Sequence, residues 1–489
     1  MGSPPPSESR TDATTPSSDA TSERAAAADV LALDTGFVLR GGRERVRDAV
    51  AYFDPDAVLL VGSDPRAPSV LRQQLEGDVP VLQPARANGL DVRQIAGVQV
   101  AIAGGVAALA GLADLEGSHF DTATETFVVT DALSLETSLT ALETRLVGRE
   151  AYTDAFADAS GSYTHVSTGL PSDYAHEWGS LRVHGGGSDL EEAGTPLPCL
   201  TLRADGVVST RTLSPGKLGL RALDGVGRVT ARRLRDAGYR TRTEVAEASA
   251  RDLEAVEGIG ESTAESVARS ADALAEGRIV RAADSDDGAF PSRDPIHVDI
   301  ETDGLNPSIV WLIGVYDPVR ETYTDFVQRD PDDPAGALTD FMAWYVAEGD
   351  NRPLVAYNGR RFDFDVLYDH LVEHAPAFLD DWESAYTFDP YEWAVREGNA
   401  VLPGHTNTLE DVADALGWDG DETGLSGATV ARQYRRWMTE RRPEAELDWA
   451  RHRAYCEDDV RALAFVYERL QEAERETSED TVQRSLTDW

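Results

Sequence analysis

Two stretches of this chain repeat one plan. LRALDGVGRVTARRLRDAG (220–238) and LEAVEGIGESTAESVARSA (253–271) each run through a helical pattern, a glycine–hydrophobic–glycine break and a second helical pattern. Gly225 and Gly258 stand 33 residues apart. Each break constrains its surroundings tightly. Glycines take positive φ and let the backbone come close to a neighbour. The helix that follows opens with free N–H groups and the positive end of its dipole. The repeat, 216–281, reads as a small all-α module that parts the chain into two longer stretches. For 489 residues, about three domains is the prior.

Composition bounds the setting. The net charge is −42 and Lys217 is the single lysine. The acids are spread over every segment instead of forming one tail, which suits a solvating shell for a chain in concentrated salt better than a surface for a basic partner. At molar salt the Debye length is about 3 Å, so long-range repulsion of a polyanion is largely erased. Such a chain binds nucleic acid through close contacts and not through a basic field. Cys199 and Cys456 form no disulfide framework and no cysteine zinc site; Cys456 reads as a small packing residue. No apolar run approaches the roughly 18 residues of a membrane span, and no signal-peptide core opens the chain. A cytoplasmic protein with no membrane partner is expected.

Residues 1–24 are Pro/Ser/Thr-rich and read as a disordered tail. From 25 to 150, runs such as AVLLVGSD (57–64), VQVAIAGG (98–105) and TFVVTDA (126–132) alternate with helical patterns, among them ETSLTALETRL (136–146). An α/β layer with a mainly parallel sheet is expected, its function unreadable. GSDP (62–65) reads as a turn, since no phosphate-loop pattern accompanies it. Residues 151–215 look like a β-rich connecting segment, with VHGGGSD (183–189) as a loop and CLTLRADGVVSTRTL (199–213) as a hairpin turning at Asp205-Gly206.

The duplicated unit resembles a tandem helix-hairpin-helix domain, a module known for sequence-independent contacts to DNA backbones. The resemblance implies contacts from Gly225, Val226 and Gly227 and from Gly258, Ile259 and Gly260. Charge distinguishes the two hairpins. Residues 217–242 hold eight basic residues, Arg228 and Arg232 among them, against two acids, a net +6. Residues 243–281 hold four against nine, a net −5. The first hairpin is therefore expected to make most of any DNA contact, its arginines forking onto phosphate oxygens. The competing reading is a packing module that holds other parts of the protein.

After a polar linker (282–294), IHVDIETDGLNP (296–307) places two acids inside an apolar strand. Ile296, Val298 and Ile300 face one way, and His297, Asp299 and Glu301 face the other. IVWLIGVYD (309–317) and TYTDFVQ (322–328) continue a meander, and strand–helix alternation then predicts an α/β domain over 295–475 with a mixed central sheet; 476–489 is a polar tail. In YNGRRFDFDVL (357–367) a strand ends at Asn358-Gly359 and Asp363 opens a helix. In AYCEDDV (454–460), Tyr455 and Asp459 are four apart on one helical face.

DIET, NGRRFD and YCEDD, in that order and spacing, resemble the three motifs of the ribonuclease-H-like DEDD exonuclease superfamily. The Tyr-x3-Asp form is that of its DEDDy branch, and the flanking text is similar to YprB-type members. The resemblance implies a 3′–5′ exonuclease on DNA, or RNA, with two Mg²⁺ or Mn²⁺ ions. It implies that Asp299, Glu301 and Asp459 hold one ion, that Asp299 bridges to the second, whose water shell Asp363 orients, and that Tyr455 positions the attacking water. Asn358 would face the nucleic acid. The chemistry is apt: phosphodiester hydrolysis uses two cations about 3.5–4 Å apart, and hard cations take carboxylate oxygens. Asp458 should point away from Tyr455, Asp303 reads as a cap or loop acid, and His405 as a loop residue without a catalytic role. The tryptophans read mostly as core. The reading from another class is a non-catalytic binding or scaffold protein that keeps a vestigial nuclease fold.

Overall fold

The computed structural model describes residues 26–475 except 63, 76, 84–88, 110–123, 139–142, 158, 160, 172–173, 179–180, 188–195, 331, 350, 421–422 and 443–444. The expected tails, 1–24 and 476–489, lie outside the described residues.

Strands β1 (Ala27–Asp34), β2 (Ala57–Val61) and β3 (Val81–Leu82) come first, with helices α1 (Thr35–Phe53) and α2 (Ala67–Gln74) between them. β4 (Leu90–Ile95), β5 (Val98–Ala103) and β6 (Thr126–Thr130) follow. A small pair, β7 (Ser134–Ser138) and β8 (Glu143–Val147), precedes α3 (Arg149–Ala155). β9 (Tyr163–Pro171), β10 (Ala175–Trp178), β11 (Leu181–Gly187), β12 (Leu197–Arg203) and β13 (Val208–Leu213) complete the region.

These strands form two mixed sheets, in the orders β13-β12-β1-β2-β3 and β10-β11-β9-β6-β5-β4. One apolar layer containing Val30, Leu59, Val100, Phe127 and Leu200 lies between them. Helices α1 and α2 cover the outside of the first sheet, and α3 covers the second. The expected single, mainly parallel layer is thus two sheets. The reason is burial: every residue of β2, β5 and β6 is buried, so each sheet needs cover on both faces. Strands from 151–215 enter both sheets, with β12 paired to β1 and β9 to β6.

Two local expectations are corrected. Of ETSLTALETRL, read as a helix, residues 136–138 and 143–146 lie in the antiparallel pair β7–β8 with Glu136 opposite Arg145, and 139–142 lie outside the described residues; Thr137 and Thr144 are β-branched and favour extended pairing. VHGGGSD, read as a loop, is strand as far as Gly187. A Cβ on Gly186 would stand 2.7 Å from Val166 Cγ1, so the glycine there lets β11 press against its neighbours. The hairpin at Asp205-Gly206 forms as expected, with Gly206 N–H donating to Arg203 O at 2.8 Å.

The central module has helices α4 (Arg228–Asp236), α5 (Arg242–Ala246), α6 (Ala250–Glu254) and α7 (Glu261–Glu276). Leu223, Val226, Leu234, Leu253, Ile259 and Val267 form its own core. Strand β14 (Val280–Arg281) leaves it.

The C-terminal domain follows: β15 (Ile296–Thr302), β16 (Val310–Asp317), β17 (Thr322–Val327), α8 (Gly336–Glu348), β18 (Leu354–Val355), α9 (Asp363–His374), β19 (Thr387–Phe388) and β20 (Ala400–Val401). Helices α10 (Leu409–Ala415), α11 (Gly427–Glu440) and α12 (Trp449–Glu472) end it. The sheet order is β17-β16-β15-β18-β19, antiparallel on the β16 side of β15 and parallel on the β18 side. This is the expected mixed central sheet. Ile296, Val298 and Ile300 pack under α8 and α9 with Phe341, Phe364 and Leu367. On the opposite face, buried His297 meets Tyr467 of α12. Trp311, Trp393 and Trp437 are buried core, as expected.

The three regions meet at a buried carboxylate. Asp48 of α1 accepts hydrogen bonds from Gly219 N–H (2.5 Å) and from Arg242 of the central module. His405 of the C-terminal domain faces both Arg242 and Asp48 and lies edge-on to Tyr52. His405 is therefore a joint between regions. Phe290 pins the linker by packing on Phe388 and Trp393, and β14 pairs with β20.

Candidate active site

Alternation along β15 puts Asp299 and Glu301 on the face that α12 covers. Helix α12 reaches the sheet there because β16 offers no side chain at one point. Asp299 pairs with Gly314, and Cys456 Sγ occupies the space that a Cβ on Gly314 would fill. From that position the thiol donates to Asp299 Oδ2 at 3.7 Å. Oxygens of Asp299 and Glu301 and the sulfur of Cys456 all lie within 4.8 Å of one another. Tyr455, the residue before Cys456, and Asp459, one turn after Tyr455, flank this contact, and their side chains are hydrogen-bonded.

Asp363 arrives from the far side of the sheet edge. Strand β18 pairs with β15 only as far as His297, and the chain then turns at Asn358, which takes a left-handed φ of 57°. Asp363 opens α9, and its carboxylate accepts backbone hydrogen bonds from its own N–H and from Ile300. The structure thus brings together all four carboxylates and Tyr455. Glu301 and Asp363 are buried, while Asp299 and Asp459 are half-buried.

Among the described residues, the charges that act on this cluster are those of other carboxylates. Burial pushes Asp299 and Glu301 well above the carboxylate range, and the charges of Asp459 and Asp363 push them further. Asp363 is raised to about 7, first by burial and then by Asp389 against the relief of its backbone bonds. Asp459 is raised to about 8, again chiefly by burial, with Asp458 and Glu410 adding to it. Burial and the same acids push the Tyr455 hydroxyl and the Cys456 thiol well up, so both stay neutral. A neutral thiol is a hydrogen-bond donor and not a ligand.

Sequence reasoning missed two participants. Cys456 is not merely packing, since it donates to Asp299. Asp389 is fully buried and accepts from the backbone N–H groups of Asn358 (2.9 Å), Arg360 (3.1 Å), Tyr391 (3.0 Å) and Glu392 (3.1 Å). It fixes the turn that delivers Asp363. Its signal was an Asp-Pro pair after an apolar strand, a common start for a helical turn. Among the acids set aside, Asp303 accepts from Ser308 N–H and Oγ, both at 2.7 Å, and closes its loop. Asp458 lies against Gly420.

The two hairpins have matching turns. Gly225 and Gly258 have φ of 75° and 79°, and Gly227 and Gly260 cap α4 and α7 without a side-chain cap. The first N–H groups of both helices are therefore open to an anion. Val226 and Ile259 bury their side chains in the module and present only backbone. The surroundings differ. Arg228 and Arg232 are exposed beside the first turn, while Glu257, Glu261 and Glu265 surround the second. Arg233 lies across the second turn and donates to Gly258 O at 2.7 Å.

Residues 296–471 match the family model of the RNase_H superfamily. The C-terminal domain is an RNase H superfamily domain. Residues 218–273 match the SAM-like helix-hairpin-helix tandem, so this domain follows a helix-hairpin-helix pair. No curated protein matches the chain. Among solved structures, a conserved uncharacterized protein from Streptococcus pneumoniae TIGR4, titled a predicted phosphoesterase, is similar at 11% identity over 39% of this chain and 98% of that one, with a TM-score of 0.16. So low a score carries no argument. An RNase H domain joined to a helix-hairpin-helix tandem supports a nuclease or nucleic-acid-binding protein. Among the described residues no helix is long and apolar enough to cross a membrane.

Proposed function

We propose that the RNase H domain is a metal-dependent 3′–5′ exonuclease of the DEDDy type, acting on DNA in preference to RNA, and that the helix-hairpin-helix tandem grips the backbone of its substrate. The observation that carries this is the meeting of Asp299, Glu301, Asp363 and Asp459 in one cluster without a cationic side chain among its electrostatic neighbours. Four such carboxylates are tolerable together only if positive charge is supplied or if they are protonated. Their oxygens suit Mg²⁺ or Mn²⁺, and Asp299, Glu301, Asp363 and Asp459 would hold two such ions. When bound, the cations supply the charge that activates water and stabilises the leaving oxygen.

The chain's own residues do the rest. Asp363 is held rigidly by two backbone N–H groups and by the Asp389-anchored turn, so its carboxylate needs little reorganisation. Tyr455 stays a neutral hydroxyl, fixed by Asp459, and can orient a water at the cluster without competing for charge. The open N–H groups of Gly227 and α4, with Arg228 and Arg232, suit a phosphate and read no base. The acidic shell and the near-absence of lysine point to work in concentrated salt, where only such close contacts persist.

The test incubates the full chain with 5′-labelled single-stranded DNA, duplex DNA and RNA in molar KCl with Mn²⁺, beside Asp299→Asn. Stepwise shortening from the 3′ end by wild type alone is expected. Absence of metal-dependent cleavage on all three substrates would overturn the enzyme reading in favour of a binding protein. Equal cleavage by the variant would overturn the site.

A further inference from the structure

Eighteen arginines lie between Arg281 and Arg475, and lysine is absent there. In so acidic a domain nearly every one is engaged. Arg352 clasps Asp317, Arg441 clasps Asp332 and Arg453 clasps Asp325. Others hold carboxylates or hydrogen bonds in the same way, and Arg329 lies over Trp449. Two stand apart. Among the described residues, the guanidinium groups of Arg360 and Arg435 have no ion pair, hydrogen bond or ring partner, and both side chains are exposed.

Both come from segments that adjoin those carrying the carboxylates. Arg360 is three residues ahead of Asp363, in the turn whose backbone Asp389 anchors. Arg435 comes from α11 and lays its guanidinium over Gly304, three residues beyond Glu301; a Cβ on Gly304 would stand 3.7 Å from Arg435 Cζ. One arginine thus approaches from the α9 side of the sheet and the other from the α11 side. The acid next to Gly304, Asp303, is already committed to Ser308.

The coincidence calls for a cause. In a chain of net charge −42, this domain finds a carboxylate for most of its exposed arginines, yet leaves two bare on segments that adjoin its buried carboxylates. A guanidinium forks onto two phosphate oxygens, and it is weakly hydrated enough to do so in strong salt. We propose that Arg360 and Arg435 hold two backbone phosphates of the substrate strand, one on each side of the cluster, drawing an anionic strand across carboxylates that repel it. This rests on the nuclease reading above. Contacts of this kind are blind to base sequence.

The experiment uses the full chain and a fluorescent single-stranded oligonucleotide of about six nucleotides, with Ca²⁺ replacing Mn²⁺ and KCl varied. Each phosphate contact contributes about 0.7 to the slope of log affinity against log salt. Arg360→Gln and Arg435→Gln should each weaken binding about tenfold, the loss of roughly one charged contact, and each should flatten the slope by about 0.7. In cleavage, KM should rise with kcat largely kept, and lysine at either position should recover part of the loss. Arg469→Gln, whose arginine pairs with Glu472 far along α12, should match wild type. Unchanged affinity and slope in either glutamine variant, or an equal loss in Arg469→Gln, overturns the proposal. If wild type cleaves nothing, the nuclease reading fails, while the binding comparison still decides the two arginines.

Discussion

Cys456 fills the space that Gly314 leaves empty, and that single fit sets how closely helix α12 approaches the strand carrying Asp299. The glycine is needed for room, not for backbone freedom, and the thiol is needed as a small donor. Gly314→Ala forces the helix outward, an overpacking that costs about 1–3 kcal/mol. The thermal midpoint should drop, and cleavage should fall further than stability explains, since Tyr455 and Asp459 move with the helix. Adding Cys456→Ala should return part of both losses. If the two changes simply add, residues in contact are not coupled and the fit is not what seats α12.

Metal-free stability should depend on pH in a distinctive way. The folded values of Asp363 and Asp459, about 7 and about 8, stand above the ordinary 3.8. Folding therefore takes up protons in this window. Stability is full below the unfolded value and is lost as pH rises towards the folded values. In chelator, the thermal midpoint of wild type should fall between pH 5 and pH 8, and Mn²⁺ added at pH 8 should restore it. Asp363→Asn with Asp459→Asn should flatten the fall. A wild-type profile identical to that of the double variant, with no response to Mn²⁺, would refute the account.

What could be read beforehand was local. Alternation in IHVDIET and the four-residue step from Tyr455 to Asp459 are periodicities of one strand and one helix, and both survive folding unchanged. What could not be read depends on partners far along the chain. Gly314 looks like any glycine in a strand until Cys456 arrives. Asp389 looks like one more surface acid until the turn at Asn358 closes on it. The N-terminal sandwich hinges on β1 pairing with β12, which no window around either strand reveals. Acid-rich composition deepened the problem, because it hides a functional carboxylate among many solvating ones.

The two hairpins should contribute unequally to DNA binding. Arg228→Gln with Arg232→Gln should weaken duplex binding and reduce its salt slope by about 1.8, or 0.9 per lost phosphate contact. Glu261→Gln, at the first position of α7, removes a like charge from the second turn and should leave binding equal or tighter. Loss of affinity in the glutamate variant, with none in the arginine pair, would assign the grip to the wrong hairpin. No change in either would favour a packing role for the tandem.

Asp389 offers the sharpest separation of structure from chemistry, since it touches no other carboxylate directly but carries the turn on which Asp363 depends. Its two oxygens accept four backbone N–H groups from two segments. Asp389→Ala leaves these donors unpaired in a buried site, where each unmet group costs about 1–3 kcal/mol. Folding should be strongly impaired. Asp389→Asn keeps one acceptor oxygen and removes a buried charge that raises Asp363, so stability should fall less. Its effect on cleavage should appear in kcat and in the Mn²⁺ concentration needed for half activity, because a displaced Asp363 holds its ion poorly. Excess Mn²⁺ should then recover much of the rate in Asp389→Asn but none in Asp363→Asn. Should Mn²⁺ fail to recover the former, Asp389 acts on stability alone and the link through the Asn358 turn is wrong.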